Sequence, residues 1–219
     1  VRIEPPKLNG AREIFQFVDA YLTEAMKKDA SEDDLRTRFD RALRIFHRAQ
    51  VPVAFGAILA KWLQHARADE EVKSAPELIE HYLAQLTDAA GRRLAGRIAR
   101  ECVNHDDDRV RSCLVDTVVD SEDEKSNKAL NDLIESGLIQ RAGTTQAFVL
   151  FTLDPVAEYV AAFELGEQLH GKSEEVAKWT RELHKLLLER RAGAGFAEAW
   201  ARTCIAKAHE WNLHDKAAT

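Results

Sequence analysis

A short apolar run that stops abruptly at an aspartate and a proline is the feature that most constrains how this chain can fold. Phe148–Phe151 has the sequence Phe-Val-Leu-Phe, which is apolar and β-favouring, so we expect a strand that is covered on both faces. Asp154 can accept a hydrogen bond from a free amide of a first helical turn, and Pro155 is tolerated there. A helix should follow. Its apolar positions recur every three or four residues, at Val156, Tyr159, Val160 and Phe163.

Four amphipathic helices are predicted before this stretch, and together they define a helical domain over residues 1–90. Ser31 with Asp34, and Ser74 with Glu77, have the spacing of capping boxes, in which side chains satisfy the free amides at a helix start. Pro52 marks the break between the second and third helices, because it biases the preceding residue away from helical geometry. The apolar stripes of the four helices lie within 11–28, 35–46, 55–63 and 78–86.

Residues 91–170 have the element order expected of a winged-helix domain. Three helices are predicted, and the third runs from a cap at Ser121 to Ser136, where Gly137 suits the left-handed conformation of a helix end. A β-hairpin follows, made of 138–141, a turn over 142–145 and the strand Phe148–Phe151. The apolar positions of the first two helices are Leu94, Ile98 and Cys102, then Val110, Cys113, Leu114 and Val118.

Two more helices are predicted after a break at Gly171, and they form a helical extension over 171–219. One begins at Ser173, and the other follows Gly193 and Gly195. Four tryptophans lie on apolar stripes, which favours core packing over ligand stacking. They are Trp62, Trp179, Trp200 and Trp211. The expected fold class is therefore mainly α: a helical bundle, a winged helix with a β-hairpin wing, and a helical extension.

Composition argues against a general nucleic-acid or anionic-membrane surface. The chain of 219 residues has 31 Lys and Arg against 37 Asp and Glu, a net charge of −6. Three cysteines leave one unpaired in any disulfide scheme, and the sequence contains no long uncharged apolar run, so we expect a cytoplasmic location and no membrane partner. Because the first residue is Val1 and the sole methionine is Met26, we expect a piece of a longer chain.

No arrangement of residues in the sequence points to catalysis. A nucleophile constellation and a glycine-rich phosphate loop ending in Gly-Lys-Ser or Gly-Lys-Thr are both absent, so an enzyme is the last hypothesis and no catalytic residue is predicted. Cys102 and His105, followed by aspartates at 106–108, could suggest a metal site. Zinc sites need a second ligand pair, however, so we favour a core cysteine beside a solvated link and predict no metal.

The winged-helix pattern raises the possibility of DNA binding, and the charge of the third helix argues against it. Residues 121–137 contain Lys125 and Lys128 against five acidic residues, a net charge of −3. Affinity for DNA comes largely from Lys and Arg on phosphates, so a DNA partner is not expected. A basic run on the first helix could contact an anion or could simply be a solvated face. It consists of Arg92, Arg93, Arg97 and Arg100.

Five segments together resemble the region that follows the nucleotide-binding core in STAND-class NTPases of the NACHT type. The segment FTLDPVAEYVAAFEL, residues 151–165, is the most specific of them and is similar to the signature at the end of bacterial NACHT winged helices. The other four segments are VPVAFGAILAKWL at 51–63, APELIEHYLAQL at 75–86, LNDLIESGLIQ at 130–140 and GFAEAWARTC at 195–204.

The resemblance implies a molecular switch. In such proteins the winged helix holds an ADP-bound core closed, and exchange for ATP on ligand sensing releases the core to form oligomers in signalling or antiviral defence. The implied partner is the nucleotide-binding core of the same parent chain, whose Walker motifs would lie before Val1. ATP or ADP would be the cofactor of the parent protein, with none held by this fragment alone, and a homo-oligomer would form on activation.

The resemblance carries over to two positions. Pro52 matches the proline that the family places against the adenine, although proline is also a common helix opener. Leu153 stands where many members have a histidine that contacts the terminal phosphate of the nucleotide, and leucine cannot donate to phosphate. The alternative to a regulatory arm is a free-standing winged-helix regulator or protein-interaction module with a helical N-terminal domain.

Overall fold

The computed structural model describes residues 16, 20, 32–49, 55–66, 70–103, 112–120, 123–143, 146–170, 172–188 and 194–211. The chain divides into two compact units, Val1–Tyr82 and Leu83–Thr219. The fold class is mainly α with one small antiparallel sheet, which confirms the prediction. The predicted domains 1–90, 91–170 and 171–219 stay predictions. Several features predicted from the sequence lie outside the described residues: the helix over 11–28 apart from residues 16 and 20, Ser31, Pro52, His105 with 106–108, and the tail 212–219.

Helices α1 (Glu32–Ala49), α2 (Gly56–His65) and the start of α3 (Ala75–Leu86) belong to the first unit. Trp62 of α2 is fully buried, and the guanidinium carbon of Arg41 on α1 lies 4.9 Å from the centroid of its ring. Half of the predicted capping box at α3 is present, and the other half uses the amide one residue earlier. The Ser74 hydroxyl accepts from the Glu77 amide at 3.3 Å, whereas the Glu77 carboxylate accepts from the Lys73 amide at 2.7 Å.

The winged helix begins with α4 (Ala89–Cys102), which is followed by strand β1 (Cys113–Leu114) and the short helix α5 (Val115–Val118). Helix α6 (Glu124–Glu135) and strands β2 (Ile139–Ala142) and β3 (Phe148–Phe151) complete it. The strand order is β1-β3-β2, and both pairs are antiparallel. The strand that is last in sequence is therefore the central one.

The predicted helix through Cys113 and Leu114 is wrong, because these two residues form β1. They pair with Val149 and Phe148 of β3, which offers them a free edge of backbone donors and acceptors. Helical structure is limited to Val115–Val118. The expectation of a strand covered on both faces is also corrected. Val149 and Phe151 are buried, whereas the residues that alternate with them are half-buried.

Two predicted helix caps lie one or two residues away from where the sequence placed them. At α6 the capping residue is Asp123, whose carboxylate accepts from the Lys125 amide at 3.1 Å and from the Ser126 hydroxyl at 2.6 Å. Helix α7 (Asp154–Leu169) begins at Asp154 itself, so Leu153 occupies the capping position. The Asp154 carboxylate still lies in the first turn, where the helix dipole favours negative charge.

A sharp connection joins α6 to the hairpin and fixes where β3 ends. Gly137 has φ of +75°, the left-handed conformation that was predicted for it. Thr152 then hydrogen-bonds back to this connection through two groups. Its amide donates to the Leu138 carbonyl at 3.0 Å, and its hydroxyl donates to the Gly137 carbonyl at 2.7 Å. The chain therefore leaves the sheet at a defined point before α7 begins.

Helix α7 is the core helix of the second unit, because it packs against both α4 and α9 (Ala194–Ala206). Helix α8 (Ser173–Leu188) also contacts α7 and α9. Small residues on α7 let its neighbours approach closely, and its larger apolar residues fill the space between them. The buried residues of α7 are Val156, Ala157, Tyr159, Val160, Ala161, Ala162, Leu165, Gly166 and Leu169.

Three tryptophans pack as an aromatic cluster over this core, which agrees with the core role expected of them. The ring centroids of Trp179 and Trp200 lie 6.0 Å apart, and those of Trp200 and Trp211 lie 6.3 Å apart. The indole N–H of Trp200 donates to the Thr180 hydroxyl at 3.1 Å. Trp211 packs directly on Gly166 of α7, where a Cβ atom would lie 1.9 Å from the indole ring.

We expect Gly166→Ala to lower the free energy of unfolding by about 1–3 kcal/mol, because the added methyl group must displace a rigid, buried indole. Urea unfolding of the purified chain followed by far-UV circular dichroism measures this effect. The matched control is Gly195→Ala, whose added Cβ would have its three nearest contacts with the Glu158 carboxylate, the end of a flexible side chain. That control should stay within about 0.5 kcal/mol of wild type. Equal effects of the two substitutions would contradict the close packing of Trp211 on α7.

Candidate functional site

A cleft of about 460 Å³ lies on the surface of the winged helix, between α4, α6 and α7. We call it the α4–α6 cleft. Helix α4 contributes Arg93 and Arg97, which are four residues apart and therefore on one face of the helix. Asp88 caps α4 by accepting from the amides of Ala90 and Gly91, each at 2.9 Å. The remaining residues that line the cleft are Ala90, Leu94, Asp123, Lys125, Ser126, Ala129 and Glu164.

Three cations line this cleft. Arg93, Arg97 and Lys125 are exposed, and none of them forms an ion pair with a residue that the structure describes. The carboxylate of Asp123 is already used in capping α6, where the Ser126 hydroxyl and the Lys125 amide hold its pKa below the ordinary value. The cleft can therefore offer three cationic groups to an external partner.

Glu164 supplies negative charge on the α7 side of the cleft, and its position depends on a glycine. A Cβ atom on Gly96 of α4 would lie 2.5 Å from the Glu164 carboxylate, so the absent side chain lets this carboxylate lie against α4. The Gln168 amide donates to Glu164 at 3.0 Å, and Arg100 donates to the Gln168 side-chain oxygen. This chain of polar contacts joins α4 to α7 beside the cleft.

A second groove of about 400 Å³ shares Arg97 with the cleft. Its other residues come from α5 and the residues after it, and they include the carboxylates of Asp116 and Asp120. Cations and carboxylates therefore line two neighbouring grooves that share Arg97. Such a surface can match a protein partner that carries both signs of charge, because complementary charges give an interface its specificity.

Helix α6 occupies the position of the recognition helix in a winged helix, and its charge is unsuited to DNA. From Asp123 through Glu135 the chain has four carboxylates and two lysines. The wing adds Arg141, but its guanidinium donates to the Gln146 carbonyl at 3.1 Å across the hairpin turn. Phosphate groups would meet net negative charge on this helix.

The structure places only some of the residues that the sequence singled out. Leu153 is half-buried at the start of α7, and its carbonyl accepts from the Val156 amide at 3.0 Å. Pro52 and His105 lie outside the described residues, so their predicted roles stay predictions. The basic run on α4 is exposed along its whole length, and two of its arginines line the cleft. Cys102 is fully buried.

Sequence reasoning missed Glu164 and Lys125 as parts of one site with the α4 arginines. Periodicity shows which residues share a face of one helix, but it does not show which faces of different helices meet. It also missed that Cys102 and Cys113 both lie against Val149 of β3, because Cys113 was assigned to a helix. The spacing of the arginines was the one visible signal of the cleft.

Within the described ranges, the structure contains no group of three or more His, Cys, Asp or Glu side chains placed to hold a metal ion. In the same part of the chain, no helix is long and apolar enough to cross a membrane. Comparison with known proteins adds no family assignment: no protein-family model, no curated protein and no solved structure matches the chain. The geometry of the site is therefore the basis for its interpretation.

We expect the chain to bind duplex DNA no more tightly than roughly 10⁻⁴ M at physiological salt, the weak end of non-specific binding, because α6 repels phosphate. Fluorescence anisotropy with a labelled duplex, repeated at low and physiological salt, measures this affinity. As a control, replacing Glu124 and Glu135 by lysine should strengthen binding and steepen its salt dependence. A tight, salt-sensitive complex of the unaltered chain would contradict the charge argument.

Proposed function

We propose that this chain is the non-catalytic regulatory arm of a bacterial STAND NTPase of the NACHT type and works in the cytoplasm. The arm would dock on the nucleotide-binding core of the same parent chain and hold it closed with ADP bound. Exchange of ADP for ATP would release the core and allow homo-oligomers to form. The five segments that resemble this family, together with the winged-helix arrangement, support the proposal.

The charge pattern of the α4–α6 cleft is the observation that carries the proposal. A winged helix that presents exposed Arg93, Arg97 and Lys125 beside the carboxylates of Asp123 and Glu164 suits a protein surface of mixed charge. The acidic α6 makes a uniformly anionic partner unfavourable. Docking against a folded domain uses the mixed charge of the cleft. The negative charge of α6 does not oppose such docking.

Leu153 favours a switch that acts through contact between domains. Its half-buried apolar side chain lies where α7 begins, and it has no donor for a phosphate group. We therefore propose that the winged helix supports closure by packing on the core, without direct contact to the terminal phosphate. Pro52 is proposed to pack on the adenine, as the resemblance implies.

A free-standing winged-helix regulator is the second candidate, and the strand order β1-β3-β2 with its hairpin wing is the observation that favours it. This candidate requires DNA affinity or a separate protein partner, whereas the first requires a nucleotide-binding core in the same parent chain. The two hypotheses therefore differ in what precedes Val1 in the gene. An in-frame start at Val1 would exclude the regulatory arm.

We expect a phosphate-binding loop within a few hundred residues upstream of Val1 in the reading frame, and no ATPase activity in the isolated chain. Sequencing of the genomic locus tests the first expectation. Phosphate release from ATP by the repurified chain tests the second, with the full parent protein as the positive control. Turnover that persists in the isolated chain through repurification would contradict the non-catalytic assignment.

Charge reversal in the cleft should weaken the closed state of the parent protein. We expect Arg93→Glu with Arg97→Glu to raise basal ATP turnover several-fold and to increase the oligomeric fraction, because like charges across the interface disfavour docking. The matched control is Lys178→Glu with Arg181→Glu, which reverses the same number of charges on exposed residues of α8. Light scattering and ATPase rates measure both variants. Identical behaviour of the two variants would argue against docking through the cleft.

A further inference from the structure

The α4–α6 cleft combines cations, carboxylates and a hydroxyl group around one cavity of about 460 Å³. This volume lies within the range that proteins use for small-molecule ligands. Two buried apolar residues, Leu94 and Ala129, form part of the lining, so carbon atoms of a ligand can be covered as well as its polar groups. The cleft therefore has the size and the mixed lining of a site for a small polar molecule.

The cations of the cleft are arranged so that two helices can act on one anionic group. Arg93 and Arg97 are one helical turn apart on α4, and both are exposed. A guanidinium group matches the oxygens of a phosphate with two parallel N–H donors. Lys125 and Ser126 line the cleft from the first turn of α6, where the helix dipole favours an anion. A phosphate monoester, with a charge of about −1.5 to −2, suits these three cations.

The two carboxylates of the cleft are held by hydrogen bonds and still keep acceptor capacity. Asp123 accepts from the Ser126 hydroxyl at 2.6 Å. Glu164 accepts from the Gln168 amide at 3.0 Å through Oε1, and Gly96 leaves room for its Oε2 against α4. An ionised carboxylate has about four lone-pair sites, so each can accept further hydrogen bonds. A ligand amine would be repelled by the nearby cations, so neutral hydroxyl groups are the donors that fit.

The lining also disfavours nucleotides and nucleic acids. None of the residues that line the cleft, in the part of the chain that the structure describes, is aromatic, so a nucleobase would find no ring to stack on. The carboxylates of the cleft would repel a second phosphate group. Glu124 and Glu135 of α6, which oppose a DNA duplex, are not among the lining residues, so they do not bar a small ligand.

We propose that the α4–α6 cleft is a binding site for a small phosphorylated polyol, such as a sugar monophosphate. Arg93, Arg97 and Lys125 hold the phosphate, and Asp123 and Glu164 accept hydrogen bonds from hydroxyl groups of the ligand. The presence of both kinds of group around one cavity carries the inference. Its regulatory consequence rests on the proposed function: a ligand in the cleft would occupy the surface that docks on the core and would favour the open state.

The test is isothermal titration calorimetry of the intact chain with glucose 6-phosphate, inorganic phosphate and glucose at neutral pH. We expect glucose 6-phosphate to bind with a Kd of roughly 1 mM or tighter, inorganic phosphate to bind several-fold more weakly, and glucose to give no binding. Equal affinities for the two phosphates would overturn the proposal, since the hydroxyl groups would then contribute nothing. Tighter binding of a phosphoserine peptide, or no binding of glucose 6-phosphate, would also overturn it.

Variants test the two kinds of contact separately. Arg93→Gln with Arg97→Gln should weaken the binding of glucose 6-phosphate at least tenfold. Glu164→Ala should weaken the binding of glucose 6-phosphate several-fold and leave inorganic phosphate unchanged or more tightly bound, because an acceptor and a repulsive charge are both lost. The matched control is Lys178→Gln with Arg181→Gln, on exposed residues of α8, which should keep the affinity. Circular dichroism checks that each variant is folded.

The outcomes also separate this site from the proposed function. Calorimetry uses the chain without a nucleotide-binding core, so its result does not depend on docking, whereas the charge-reversal experiment measures turnover and oligomers of the parent protein. Tighter binding of both phosphates by Glu164→Ala would show that this carboxylate only repels anions, and would overturn the assigned polyol contact. Loss of affinity in the α8 control would likewise contradict binding in the cleft.

Discussion

The packing of α7 between α4 and α9 is the interaction on which the rest of the second unit depends. Each fully buried valine or leucine of such a helix stabilises the fold by about 1.5–3 kcal/mol, and small residues let both neighbours approach. Glycines serve this packing at two points: Gly166 receives the indole of Trp211, and Gly96 of α4 receives the Glu164 carboxylate. The winged helix and the helices after it therefore share one core helix, and the cleft lies at its margin.

Local sequence signals predicted much of this fold because they act over a few residues. Helical spacing located most helices, Ser74 and Glu77 marked the start of α3, and Gly137 marked the end of α6. Strand β1 could not be found in this way, since two residues carry no periodicity and their conformation is set by the edge of β3. Asp123 replaced Ser121 as the cap of α6 for a similar reason: several capping residues were available, and local spacing did not distinguish between them.

The site was less predictable than the fold, because it combines residues from elements that meet only in three dimensions. The arginine spacing on α4 was visible in the sequence, but its juxtaposition with Lys125 and Glu164 follows from how α6 and α7 pack against α4. The wrong assignment of β1 also hid which residues of α4 and β1 meet at β3. While Cys113 was assigned to a helix, nothing in the pattern placed it and Cys102 against the same residue of β3, Val149.

The order of the strands has a consequence for how the polypeptide acquires its structure during synthesis. β2 and β3 are neighbours in sequence, so they can close as a hairpin once residue 151 has been made. β1 is made earlier, yet its only sheet partner among the described strands is β3, and Cys113 pairs with a residue 36 positions later. During synthesis β1 therefore stays unpaired, with its backbone groups solvated, until β3 has left the ribosome.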